Sequence, residues 1–222
     1  EDMDVDLCHI HNIFVTHEHT DHILGIVWMV RMIATAMRKG TYQGELQIYC
    51  HQGLTDTIST ICRLTMQGKF FKMIGSRIFL VPVEDGETVH ILDYDVTFFD
   101  ILSTKARQFG FTTVLKNGCR FTCAGDEPYN PDCRAYVEGS NWLLHEAFCL
   151  YRDREIFAPY EKHHSTVKEA CELAEELNIP NLVLWHTEDK QLAQRKTLYI
   201  KEGRKYYHGN LLVPEDREII VL

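Results

Sequence analysis

Proline is scarce in this chain, with 6 residues in 222, and no stretch is rich enough in Pro, Gly or Ser to serve as a linker. Nothing therefore divides it, and a hydrophobic content of 45% suffices for one substantial core, so a single domain over 1–222 is expected. Positive charge is also short: 23 Lys and Arg stand against 32 Asp and Glu, a formal net charge of −9 at pH 7. A broad nucleic-acid-binding face needs clustered cations against phosphates and is not expected, while a local basic patch stays open. Long apolar runs are missing as well. The run over 23–37 is broken by Arg31 and is too short to span a bilayer, so no membrane association is expected. No signal peptide is read before the acidic N-terminus. The 8 cysteines form neither a disulfide framework nor paired CxxC knuckles, and they are read as reduced, mostly buried thiols of a cytoplasmic protein.

What is present is a set of short β-branched and aromatic runs, at 13–16, 46–50, 78–83, 96–101, 111–115, 120–124, 142–144 and 182–185. Helical patterns at 23–39, 54–67 and 167–177 alternate with them, which predicts a layered α/β fold. No GxGxxG follows a strand, so a dinucleotide-binding fold is not expected. Thr166 and Glu169 are spaced as a capping box for the helix at 167, and Asn178 and Pro180 mark its end. Glu172 to Glu176 read as an exposed helix face.

Directly after the strand at 13–16 comes His17-Glu18-His19-Thr20-Asp21-His22, with three imidazoles and a carboxylate within six residues. Imidazole nitrogen and carboxylate oxygen suit Zn²⁺, with Mn²⁺ or Fe²⁺ as alternatives, and a tight loop at a strand end can aim alternate side chains at one ion or two. A polar surface loop would explain a lone His-x-His pair; it explains the whole run poorly.

The run resembles the signature motif of the metallo-β-lactamase superfamily, with Gly25 where that motif usually continues. The resemblance extends downstream. Gly125-Asp126 after the strand at 120–124 is similar to the family's bridging aspartate, and His186 after the strand at 182–185 to its last histidine. Ligands at strand ends share one sheet edge, which would let 17, 126 and 186 meet. Alone, Asp126 would be a turn carboxylate and His186 a capping or surface histidine. Leu143-Leu144-His145-Glu146-Ala147 and His164-Ser165-Thr166 are similar to the HEAT and HST motifs of the ribonuclease Z branch, which processes tRNA 3′ ends. Structurally, His145 and Glu146 would otherwise be a buried hydrogen-bonded pair, and His164 a residue preceding a helix cap, although a phosphate held at that helix N-terminus beside His164 is chemically sensible.

The resemblance implies a metallo-β-lactamase-type αββα sandwich that lacks its N-terminal strands, because about fifty residues usually precede the metal motif. An exposed sheet edge or partner contact, and with it a homo-oligomer, is therefore open. It implies metal ligation by His17, His19, Asp21, His22, Asp126 and His186. The third metal histidine of the family is expected within 100–111, where none occurs, and Leu102 is read in its place. His51 and His90 are possible substitutes but are read as exposed loop residues. No long basic, glycine-rich arm is present, so binding of a whole tRNA is not expected. Lys105, Arg107 and Lys162 could touch one phosphate, though solvated surface is their default reading. A small phosphodiester or related ester is the expected substrate. Hydrolysis would use water activated by bound metal, with Asp21 orienting it and His164, supported by Glu146 and neighbouring His145, protonating the leaving oxygen. The alternative is a degenerate member that binds metal without catalysis.

Overall fold

The computed structural model describes residues 5–190 and 192–222, and the acidic start read at residues 1–4 lies outside them. Two compact units divide the chain: residues up to Glu87 with Ser103–Phe109, and Thr88–Leu102 with Gly110–Leu222.

The first unit is built on a parallel sheet of β1 (Asn12–Phe14), β2 (Leu46–Cys50) and β3 (Ile78–Pro82), in that order. Its crossovers are α1 (Thr20–Lys39) after β1, and α2 (Gln52–Thr65) with the short α3 (Gly68–Phe71) after β2. Along α1 the buried positions Ile23, Ile26, Val30, Ile33, Ala34 and Met37 recur at helical spacing and pack with Leu46, Ile48 and Cys50 of β2 and Leu54, Ile58 and Cys62 of α2. Gly40, at φ 77°, ends α1 in the left-handed conformation that a Cβ disfavours. Because β1 and β2 run parallel with Phe14 opposite Tyr49, their C-terminal ends lie on one edge. The segments leaving that edge are 15–19 and His51.

The second unit carries a seven-stranded sheet. Its strands are β4 (Thr88–Ile91), β5 (Tyr94–Asp100), β6 (Phe109–Val114), β7 (Arg120–Cys123), β8 (Trp142–Glu146), β9 (Asn181–Trp185) and β10 (Asn210–Leu212). Pairing is antiparallel for β4 with β5 and β6 with β7, and parallel from β7 through β8 and β9 to β10. Between these strands lie α4 (Arg134–Val137), α5 (Arg154–Phe157), α6 (Val167–Glu176) and α7 (Leu192–Gly203). Leu143, Leu182 and Leu184 of the sheet pack with Val167, Ala170, Cys171 and Ala174 of α6 and with Tyr199 of α7. Gly110 allows a close approach, since a Cβ there would lie 2.5 Å from the Cys123 carbonyl oxygen. The α/β fold class is borne out. Among the described residues no helix is long and apolar enough to cross a membrane.

All eight predicted strands and all three predicted helices are present, with ends displaced by up to three residues. The largest displacement bears on the site: α1 starts at Thr20, so Asp21 and His22 belong to its first turn and His19 is its N-cap. Six further elements were not read from the sequence as a regular pattern: β4, β10, α7 and the short helices α3, α4 and α5.

Candidate metal centre

In the first unit β1 delivers the polar run to the C-terminal edge of its sheet. Val15 N–H still donates to the Tyr49 carbonyl, and Thr16 is where pairing with β2 stops. His17 is buried at 1% exposure, and its Nε2 stands 2.7 Å from Nδ1 of His19. Two ring nitrogens this close share a proton or a cation; two lone pairs alone would repel. The opposite nitrogen of His17, Nδ1, lies 2.9 Å from Thr16 Oγ1 and 2.9 Å from Gln108 Nε2. In the first turn of α1, His22 Nε2 lies 3.4 Å from Asp21 Oδ2, and the His22 ring centroid is 4.2 Å from that of His17. Asp21 is exposed to solvent. The structure thus brings together His17, His19, Asp21 and His22.

In the second unit the parallel register aligns the ends of β7, β8 and β9, with Cys123 opposite Leu144 and Glu146 opposite Trp185. Asp126 and His186 leave that common edge, where Glu146 ends β8; the strand before His17 belongs to the other sheet, so the expected shared sheet edge holds for 126 and 186 but not for 17. His186 has φ 49°, in the left-handed region where a non-glycine residue is uncommon and which tends to mark functional turns. Its Nε2 lies 3.5 Å from Oδ2 of the buried Asp126. The ring of His164 sits 5.1 Å from that of His186, stacks on Phe148 at 4.9 Å, and places Nδ1 3.7 Å from Glu146 Oε2.

Glu146 is fully buried, and its carboxyl is pushed up to about 8, chiefly by burial. Ser165 opposes that shift by donating its hydroxyl at 2.7 Å and its backbone N–H to Oε1, while the charge of Asp126 adds to it. Near neutral pH Glu146 is therefore largely a neutral acid. His145 stands apart from this group. Strand alternation sends it to the other face, where burial lowers its pKa and Nδ1 meets the Glu146 carbonyl at 2.7 Å.

Leu102, read in the place of the family's third metal histidine, is 47% exposed at φ 61°, with its N–H donated to Asp100 Oδ1. Two expectations need correction. His51 is no exposed loop residue. It is buried at the N-cap of α2, its Nδ1 accepts from Leu54 N–H, and its Nε2 lies 3.6 Å from Glu18. Burial is the main effect lowering its pKa, and Glu18 offsets part of it. The N-terminus of α6 does not offer a ready phosphate cradle either, because the N–H groups of Ser165, Thr166 and Val167 already donate to Glu146, Glu169 and the Cys149 carbonyl. His90 is exposed as expected, although on a strand, where it meets Asp95 at 2.8 Å. Lys105, Arg107 and Lys162 are exposed, and the last two cover the rings of Phe109 and Phe148 at 5.0 Å.

Gln108 is the site residue missed by sequence reasoning. It lies directly before the strand Phe109-Gly110-Phe111, and its partner His17 is 91 positions away, so no local pattern singles it out. The donors of both units, imidazole nitrogens and carboxylate oxygens, have the chemistry of a borderline divalent cation such as zinc.

The family model described as beta-lactamase superfamily domain matches residues 4–187. Ribonuclease Z of Oceanobacillus iheyensis is 26% identical over 247 residues, a match covering 91% of this chain and 79% of that protein. The solved metallo-beta-lactamase fold protein YhfI from Bacillus subtilis superposes with a TM-score of 0.75 at 16% identity, covering 96% of this chain and 78% of that one. The short form of human tRNase Z superposes with a TM-score of 0.69 at 21% identity, covering 98% and 81%. These structural likenesses speak to fold.

Proposed function

The chain belongs to the metallo-β-lactamase superfamily of hydrolases and has its α/β fold, and from that premise we propose that it hydrolyses a phosphodiester or a related ester with the help of bound divalent metal. The observation that carries this reading is the pair of ring nitrogens of His17 and His19, 2.7 Å apart beside Asp21 and His22. In this reading His17, His19, Asp21, His22, Asp126 and His186 are the ligands, and Zn²⁺ is the cation their chemistry favours. When bound, such an ion supplies Lewis acidity to the scissile group and makes water nucleophilic near neutral pH.

The chain's own residues do the rest. Asp21, exposed at the start of α1, orients the attacking water. His164, backed by the neutral carboxyl of Glu146 and held flat by Phe148, passes a proton to the leaving oxygen. The name of the Oceanobacillus relative, ribonuclease Z, favours a phosphodiester over a carboxylic ester. The excess of acidic over basic residues favours a small substrate over a whole tRNA. Eight free cysteines suit a reducing, cytoplasmic compartment.

A second reading, metal binding without turnover, is favoured by the lack of histidine in 100–111. Elemental analysis of the purified chain tests both. One or two zinc ions per chain, with cleavage of a phosphodiester in preference to a carboxylic ester, is the expected result; bound zinc without cleavage of either favours the second reading.

A further inference from the structure

Gln108 is enclosed at 1% exposure, and burying an amide costs free energy unless its polar atoms are matched. It is brought to its place by the backbone, since the next residue, Phe109, donates its N–H to the Thr16 carbonyl at 3.1 Å. The side chain then crosses 91 residues of sequence to meet Nδ1 of His17 at 2.9 Å. Nδ1 is the nitrogen opposite Nε2, the atom that faces His19.

A neutral imidazole carries one ring proton, and whichever nitrogen lacks it offers a lone pair. A cation at Nε2 therefore requires the proton on Nδ1 and an acceptor to hold it there. Half a turn of the Gln108 amide exchanges its oxygen and nitrogen, so Oε1 can accept from Nδ1 where Nε2 now donates. Thr16 Oγ1 is a second partner at the same nitrogen and also lies 3.5 Å from His22 Nδ1.

We propose that Gln108 is a positioning residue for the metal centre: it accepts the Nδ1 proton of His17, fixes the ring plane and thereby presents the Nε2 lone pair to a divalent cation. The role rests on the reading of His17 as a ligand. It also gives the histidine-free 100–111 segment a part in the site, through an outer hydrogen bond in place of a direct ligand. Outer partners of this kind tune affinity by fixing tautomer and orientation.

The test compares wild type with Gln108→Ala and Gln108→Glu by zinc competition titration against a chelating dye, and by ¹⁵N NMR of the His17 ring in metal-free protein. Gln108→Ala is expected to weaken zinc binding about 10- to 100-fold. Gln108→Glu is expected to restore or exceed wild-type affinity, because a carboxylate accepts strongly from an imidazole N–H. In the NMR series the Nδ1-protonated fraction of His17 is expected to rise in Gln108→Glu and fall in Gln108→Ala. Rescue by Glu and a tautomer shift are not properties of a residue that only fills space. Wild-type affinity in Gln108→Ala, or a Glu variant as weak as the Ala variant, overturns the proposal. A wild-type chain that binds no zinc sinks the metal reading itself; equal affinity of wild type and Gln108→Ala sinks the role of Gln108 alone.

Discussion

Glu146 shows how a single buried carboxyl ties stability to chemistry. Its pKa of about 8 in the folded protein lies above the ordinary 4.5, so between those values the folded state binds a proton that the unfolded chain releases. The stabilisation is full below 4.5 and is lost as pH rises through about 8. Over that interval its loss is on the order of a few kcal/mol. Glu146→Gln keeps a neutral side chain at every pH, so in metal-free protein its urea stability should fall less than that of wild type across this interval. Parallel pH profiles for the two would contradict the assignment. At this scale the sequence was informative wherever residue types cluster: the run from His17 to His22 announces itself by density. Gln108 and His51 do not, because their meaning arises from partners 91 and 33 positions away, beyond any local pattern.

Elements were legible where periodicity and capping chemistry agree. The capping box of α6 forms as its spacing foretold: Glu169 Oε2 accepts from the Thr166 N–H at 2.8 Å and from its hydroxyl, while Oε1 accepts from Tyr160 at 2.8 Å. Removing that carboxylate leaves a buried N–H without its acceptor, so Glu169→Ala should cost about 1–3 kcal/mol in chemical denaturation. Glu169→Gln, which keeps an acceptor oxygen, should cost less, and equal losses would contradict this account of the cap. The elements that were missed lack such signals. β4 and β5 turn through Leu92 at φ 55° and Asp93, without the Asn-Gly or Asp-Gly pair that marks a tight hairpin. The described buried residues of α7 are Tyr199, Glu202 and Gly203, too few and too polar to read as an apolar stripe. β10 has three residues, too short for alternation to register.

For the whole molecule, the alternation of strand and helix patterns pointed to the α/β class and the short apolar run argued against a membrane-spanning helix, but neither showed the division into two compact units. The path that leaves the first unit at Glu87 and returns to it over Ser103–Phe109 depends on long-range contacts and not on periodicity. Ligands supplied by the folded chain link metal to stability. Free zinc at 100 times its dissociation constant should stabilise the protein by about 2.7 kcal/mol. For a chain of this size that raises the melting temperature by roughly 5–10 °C. An unchanged melting curve after zinc addition to chelator-treated protein would contradict ligation by the folded state.

The most direct test of hydrolysis is the turnover of bis(p-nitrophenyl) phosphate by metal-stripped protein before and after zinc is restored, with Asp21→Ala alongside. The account predicts no turnover without metal, recovery with zinc in wild type, and none in a folded, zinc-loaded Asp21→Ala variant. Turnover that survives metal removal, or full activity in Asp21→Ala, would contradict it.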